Sequence, residues 1–130
     1  MIRGKEKVSE KAAGQYAADR ALAARSGELL DAARAAEHAF RAAQGTAAPL
    51  AAQHALALAL DAALTDAMRA AYAAERAEIG PRGYDDRIFR RKAKARPAVH
   101  ALTDEAERLL TMRETHMLTG IPPISPFHAA

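Results

Sequence analysis

The sequence predicts an all-α fold: an alanine-rich antiparallel helical hairpin, a short basic helix and a further C-terminal helix, packed as a small bundle. Two observations lead to this prediction. Alanine, which heads the scale of helix propensity, accounts for 36 of the 130 residues. Larger apolar side chains recur at the three- and four-residue spacing of a helix face, and glycine or proline separates the helical stretches.

The first long helix of the predicted hairpin covers residues 9–44. Ser9 is placed to cap its N-terminus, because a serine oxygen at this position accepts a backbone N–H from the first turn. Ser26 and Gly27 interrupt the run of good helix formers in the middle. The pair either restarts the helix, with Ser26 as a second cap, or kinks it. The sequence leaves both alternatives open.

A tight turn joins this helix to the second one. Gly45 is expected to supply the left-handed residue that ends the first helix, and Pro49 fits the first turn of the next. The second helix then continues to about Ile79, where Gly80 and Pro81 end it.

The chain beyond this point predicts two shorter helices. Asp85 is expected to cap a short helix over residues 86–95, in which Ile88 and Phe89 anchor the helix to the hairpin. A further helix begins at Pro97 or Thr103 and stops at Gly120.

The length of 130 residues is typical of a single domain. We divide it into an N-terminal arm (1–8), a helical bundle (9–119) and an extended, proline-rich tail (120–130). The absence of cysteine leaves the compartment open. Because the chain starts without a secretory signal pattern, we expect a cytoplasmic protein by default. The uncharged stretch 42–60 is interrupted by Gln, Pro and His, which excludes it as a membrane-spanning helix.

Positive charge is concentrated in one segment. Residues 82–96, the basic segment, contain seven Lys and Arg against two Asp, although the whole chain nets only +3. Such a patch on a slightly acidic body indicates a polyanionic partner. Four basic side chains share one face of the predicted short helix, at spacings i, i+3, i+4 and i+7: Arg87, Arg90, Arg91 and Lys94.

Arginine suits phosphate because its planar guanidinium donates two parallel hydrogen bonds, and an aromatic ring among the cations can stack on a base. A solvated helix face is the alternative interpretation of the same charges. The predicted nucleic-acid contacts are the basic residues of the segment and one tyrosine: Arg82, Tyr84, Arg87, Arg90, Arg91, Lys92, Lys94 and Arg96.

Catalytic, metal and cofactor sites are not predicted. The five histidines lack the spacing of paired metal ligands. The serines lie outside any nucleophile elbow, and the glycines do not form a phosphate-cradling loop. We therefore expect a protein that is not an enzyme and that needs no cofactor.

The tail contains three large apolar residues, Ile121, Ile124 and Phe127, which we expect to dock on a neighbouring subunit. In size, helix content and basic segment the chain resembles, in general character, the small helical subunits of multisubunit CRISPR effector complexes. The resemblance implies a non-catalytic subunit of a nucleoprotein assembly, present in several copies, that supports RNA or single-stranded DNA.

A structural adaptor of a virion or similar particle is the alternative. In that case the basic helix would meet an acidic protein surface, and the proline-rich tail would dock in a neighbour's groove. A membrane-surface protein is disfavoured, because the basic helix has few bulky apolar residues opposite its charges.

Overall fold

The computed structural model of the protein describes residues 8–122, and within this range it consists of six α-helices followed by one π-helical turn, with no β-strand. The all-α prediction is confirmed. The elements are α1 (Glu10–Ala23), α2 (Ser26–Gly45), α3 (Leu50–Ile79), α4 (Arg82–Asp85), α5 (Arg87–Ala93), α6 (Pro97–Thr115) and the π turn (His116–Gly120).

Two sets of sequence predictions lie outside the described residues. They are the N-terminal arm up to residue 7 and the part of the tail from residue 123 onwards, which includes Ile124 and Phe127.

The first predicted helix is two helices, α1 and α2, separated by residues 24 and 25. The Ser9 cap is confirmed, since its side chain accepts the N–H of Ala12 at 3.0 Å. At the break, Arg25 leaves helical geometry (φ −94°, ψ 2°) and gives no side-chain cap. Ser26 is the first residue of α2, and its buried hydroxyl has no hydrogen-bond partner among residues 8–122. The break is therefore an uncapped interruption of the helix.

The turn between α2 and α3 differs from the prediction in two details, one of which is that Pro49 is the N-cap residue of α3 and precedes its first turn. Gly45 is still helical, and the left-handed residue is Ala47 (φ 53°). The side-chain amide of Gln53, in the first turn of α3, donates from Nε2 to Ala48 O at 2.7 Å and closes the turn. At the other end of α3, Gly80 ends the helix as predicted, with φ 102°, in the region that favours glycine.

Helix α3 is the central element, because α1, α2 and α6 all pack against it. The ion pair from α1 to Arg76 places α1 along the C-terminal half of α3. Helix α6 runs antiparallel to α3, since Thr103 lies beside Glu75 whereas Arg113 lies beside Asp61.

The core is built mostly from alanine. Nine of the fifteen buried hydrophobic residues in the described range are Ala. Phe40 and Val99 are the largest side chains that are completely buried there. Small side chains let the helix backbones approach closely, so van der Waals contact between helices replaces part of the missing bulk. A larger residue at such a contact would therefore push two helices apart.

The short basic helix begins one residue later than predicted. Its cap is Asp86, which accepts the N–H of Phe89 at 2.9 Å, and the predicted cap Asp85 belongs to the preceding single turn, α4. The helix also ends earlier, with Ala93 as its last residue and Lys94 as its C-cap.

A second, smaller core cluster holds α5 against the rest of the bundle. It consists of Ile79, Ala93 and Val99, with Phe89 packed against it. Helix α4 also approaches α3 closely, because a Cβ on Gly83 would lie 2.6 Å from Ile79 Cγ2. The basic segment is thereby attached to the C-terminal end of α3.

The alanine core predicts the effect of a larger side chain. Ala70 of α3 is completely buried, and Ala70→Leu should lower the free energy of unfolding by about 1–3 kcal/mol, since the extra atoms force neighbouring helices apart. Ala62→Leu, at an exposed position of the same helix, is the matched control and should change it by less than about 0.5 kcal/mol. Urea titrations followed by circular dichroism measure both; equal stabilities would contradict a close-packed alanine core.

Candidate functional site

The basic segment lies on the surface at the C-terminal end of α3. Three of its cations, Arg87, Arg91 and Lys92, are exposed and make no hydrogen bond or ion pair to any of the residues 8–122. Their charges therefore face solvent within the described part of the chain.

Two further arginines bind backbone carbonyl groups. Arg90 donates from Nη1 to Gly83 O at 2.6 Å, which ties α5 to α4. Arg96 donates from Nη2 to Ile79 O at 3.4 Å, at the C-terminal end of α3, where the helix dipole favours a cation. A carbonyl is neutral, so neither arginine has its charge cancelled by these contacts.

The remaining two cations of the segment are paired with carboxylates. Arg82 lies 3.3 Å from Asp86, and its guanidinium carbon lies 4.7 Å from the centre of the Phe89 ring. Lys94 Nζ lies 4.0 Å from a carboxylate oxygen of Glu75, a buried residue that also accepts the hydroxyl of Thr103. Without Lys94, the buried carboxylate of Glu75 would have no cation beside it among the described residues.

Five cations of the segment consequently have no carboxylate partner among the described residues. We call them the basic cluster: Arg87, Arg90, Arg91, Lys92 and Arg96. Arg87, Arg90, Arg91 and Lys94, which the sequence placed on one face of the short helix, line an open surface depression of about 320 Å³. Ile88 also lines this depression.

Ile88 corrects one sequence prediction. Phe89 packs against the core as expected, but Ile88 is 68% exposed and contributes no anchor. The depression between the arginines therefore has an apolar side chain beside its charges.

Tyr84 is half-buried, and its hydroxyl donates to the carboxylate of Asp19 on α1. The same carboxylate accepts two hydrogen bonds from Arg76 of α3, at 2.8 and 3.1 Å. Burial, followed by the bond to Asp19, raises the pKa of Tyr84 above its ordinary value. This cluster joins α1, α3 and α4, so Tyr84 has a role in tertiary structure.

A second polar contact holds the same elements. The Ser9 N–H and hydroxyl donate to the two carboxylate oxygens of Asp85, at 2.9 and 3.0 Å. The N-terminus of α1 is thus attached directly to α4, at the start of the basic segment.

The C-terminal end of the described chain packs on the opposite end of α3. Ile121, one of the predicted docking residues, is partly buried against the main core cluster. His54 Nδ1 lies 2.7 Å from Pro122 O, and His116 Nε2 lies 2.7 Å from Ala57 O. Because a carbonyl oxygen only accepts, both imidazoles donate at these nitrogens.

A groove separates α2 from α6. It encloses about 670 Å³, with Leu60, Leu64 and Leu109 at its apolar base and Arg34 and Arg108 among its polar residues. Sequence analysis missed this groove, because it arises from the separation of two helices that are far apart in the chain. The only sequence signal was the apolar periodicity of each helix taken separately.

The described residues offer neither a metal-binding cluster nor a membrane-spanning helix. Between residues 8 and 122 no group of three or more His, Asp or Glu side chains has an arrangement that could hold a metal ion. Within the same range, no helix combines the length and the apolar character needed to cross a bilayer. Comparison of the chain with protein-family models, curated proteins and solved structures gave no match.

The Asp19 cluster generates a pH-dependent prediction. Burial alone would raise the pKa of Asp19, but hydrogen bonds from Arg76 and Tyr84 and the charge of Arg76 outweigh it and lower the pKa. Above about pH 4, where the unfolded carboxyl is ionised, Asp19→Asn should lower the free energy of unfolding by about 1–2 kcal/mol, a modest value because solvent screens Arg76.

A lowered folded-state pKa means that this stabilisation is lost as the pH falls through that pKa. The difference between wild type and variant should therefore shrink below about pH 4. Urea titrations at neutral pH and near pH 3 measure it. Asp31→Asn, at an exposed ion pair, is the control and should have little effect. An undiminished difference at low pH would contradict the stabilising role of the Asp19 carboxylate.

Proposed function

We propose that this protein is a non-catalytic helical subunit of a nucleoprotein assembly and that it binds nucleic-acid backbone through the basic cluster. The observation that carries the proposal is the concentration of five cations without a carboxylate partner, within the described residues, at one end of α3. Three of them, Arg87, Arg91 and Lys92, are also exposed and keep all their donors available.

The chemistry of the basic cluster supports phosphate recognition. Arg87 and Arg91 are one helical turn apart on α5, so both guanidinium groups project to the same side. Each can donate two parallel hydrogen bonds to one phosphate group. Contacts of this kind position a nucleic acid without reading its sequence.

Base stacking has less support than backbone contact. The hydroxyl of Tyr84 is bound to Asp19, and Phe89 packs against the core while carrying the guanidinium of Arg82 on its ring. Within the described residues, both aromatic rings of the segment therefore take part in tertiary contacts. The proposal is accordingly one of electrostatic binding with little sequence preference.

In this proposal the alanine-rich helices α2 and α3 form a hairpin that serves as the scaffold. The residues beyond Pro122 dock on a neighbouring subunit, whereas Ile121 packs against the protein's own core. RNA and single-stranded DNA both present the backbone that the basic cluster fits. Several copies along one strand would add their weak individual affinities through multivalency.

A structural adaptor is the second candidate function, and the groove between α2 and α6 favours it. This groove of about 670 Å³ has Leu60, Leu64 and Leu109 at its base and charged residues, among them Arg34 and Arg108, in its lining, so it can receive apolar side chains of a partner's segment. The basic cluster would then contact an acidic protein surface.

Salt dependence tests the proposal. The affinity for a fluorescent single-stranded RNA should fall steeply with salt, with a log–log slope of about −0.7 for each neutralised phosphate. The triple variant Arg87→Gln, Arg91→Gln and Lys92→Gln should lose most of the affinity, and the magnitude of its slope should decrease by about 2. Fluorescence anisotropy at several salt concentrations measures both quantities.

The matched control removes the same charge elsewhere. Arg34, Arg41 and Arg69 are exposed cations on α2 and α3, and changing all three to Gln lowers the net charge by the same amount. This control should keep the wild-type slope. Equal losses of affinity in the two variants would show that binding depends on net charge and not on the basic cluster. Weak, salt-independent binding by the wild type would favour the adaptor.

A further inference from the structure

Among residues 8–122, the end of the molecule opposite the basic cluster is formed by two stretches without a charged side chain. Residues 42–60 contain no Asp, Glu, Lys or Arg, and neither do residues 115–122. The first stretch covers the α2–α3 turn and the N-terminal part of α3, and the second covers the π turn and the two residues after it. All charged side chains of the described chain therefore lie outside these two stretches.

The two uncharged stretches lie side by side. The bond from His116 Nε2 to Ala57 O fixes the start of the π turn against α3, and the bond from His54 Nδ1 to Pro122 O fixes the chain just beyond it. Residues 116–122 consequently run along the N-terminal part of α3. The uncharged surface is one end of the folded molecule.

Large apolar side chains are exposed at this end. Leu118 of the π turn is 80% exposed, and three others are close to half exposed: Leu50, Leu58 and Met117. Four of the six exposed large hydrophobic residues in the described range thus lie here. Exposed apolar groups gathered in one region, without charges among them, are typical of a protein interface.

We propose that this uncharged end, defined by Leu50, Leu58, Met117 and Leu118, is a self-association surface whose occupant is the same end of a second copy of the chain. The contact is isologous, with a two-fold axis relating the copies. The inference is independent of the proposed function, because it needs no nucleic acid.

Charge distribution favours the uncharged end of the second copy over its basic cluster as the contact surface. Two uncharged ends meet without removing any ionised group from water, whereas an uncharged end placed on a basic cluster would desolvate unpaired arginines. The isologous arrangement also directs the two basic clusters away from each other. Helix α3 alone is about 45 Å long, so the clusters are separated by far more than the Debye length of about 8 Å and repel little.

Sedimentation velocity over a range of protein concentrations tests the proposal on the full chain without nucleic acid. The wild type should form dimers in a concentration-dependent manner. The double variant Leu58→Glu and Leu118→Glu places like charges across the two-fold axis and should raise the dimer dissociation constant by about tenfold or more. Circular dichroism checks that its helix content is unchanged.

Two further variants keep the result interpretable. Ile88→Glu introduces the same charge at an exposed aliphatic residue beside the basic cluster, and it should leave dimerisation unchanged. Leu118→Ser alters only the most exposed of the four side chains, so it should weaken the dimer without unfolding the protein even if the double variant fails to fold.

Three results would overturn the proposal. A wild type that stays monomeric at millimolar concentration has no such interface. Dimers that Leu118→Ser leaves unchanged use another surface. Dimers that form only after removal of residues 123–130 would show that the chain's own C-terminal residues are the occupant of this end.

Discussion

Close approach of the surrounding helices to the alanine face of α3 is the constraint on which the rest of the structure depends. Ala57, Ala67 and Ala71 of α3 lie in the same buried cluster as Ala33 of α2 and Ala106 of α6. Each methyl group fills little volume, so the helices are stable together only when their backbones are near each other. This requirement makes α3 the axis of the molecule.

Polar contacts stabilise the region where the apolar core is thinnest. Ala12 is the one buried residue among the residues of α1. Hydrogen bonds to α3 and α4 hold this helix in place. Asp19 bridges Arg76 and Tyr84, while Ser9 binds Asp85. These contacts fix α4, and α4 in turn positions the start of α5. The orientation of the basic cluster therefore depends on Ser9 and Asp19, whose partners Asp85 and Tyr84 lie 76 and 65 residues further along the sequence.

The two ends of the molecule differ in the physics of their proposed interactions. Phosphate binding by the basic cluster releases counterions and weakens as salt increases. Burial of apolar surface at the uncharged end involves no counterion release, and strongly hydrated salts strengthen it. One chain can therefore combine an electrostatic contact and an apolar contact that respond to salt in opposite directions. The length of α3 keeps the two contacts apart.

The sequence by itself determined the helical class, the Ser9 cap, the end of α3 at Gly80 and the location of the basic segment. Helix propensity, apolar periodicity and capping act over a few residues, so they can be read from neighbouring positions. Only the tertiary structure decided which side chains of the segment stay available. It paired Lys94 with buried Glu75, bound Tyr84 to the carboxylate of α1 and exposed Ile88. It also created the α2–α6 groove and the uncharged end. These features depend on contacts between residues that are distant along the chain, and local patterns carry no information about such contacts.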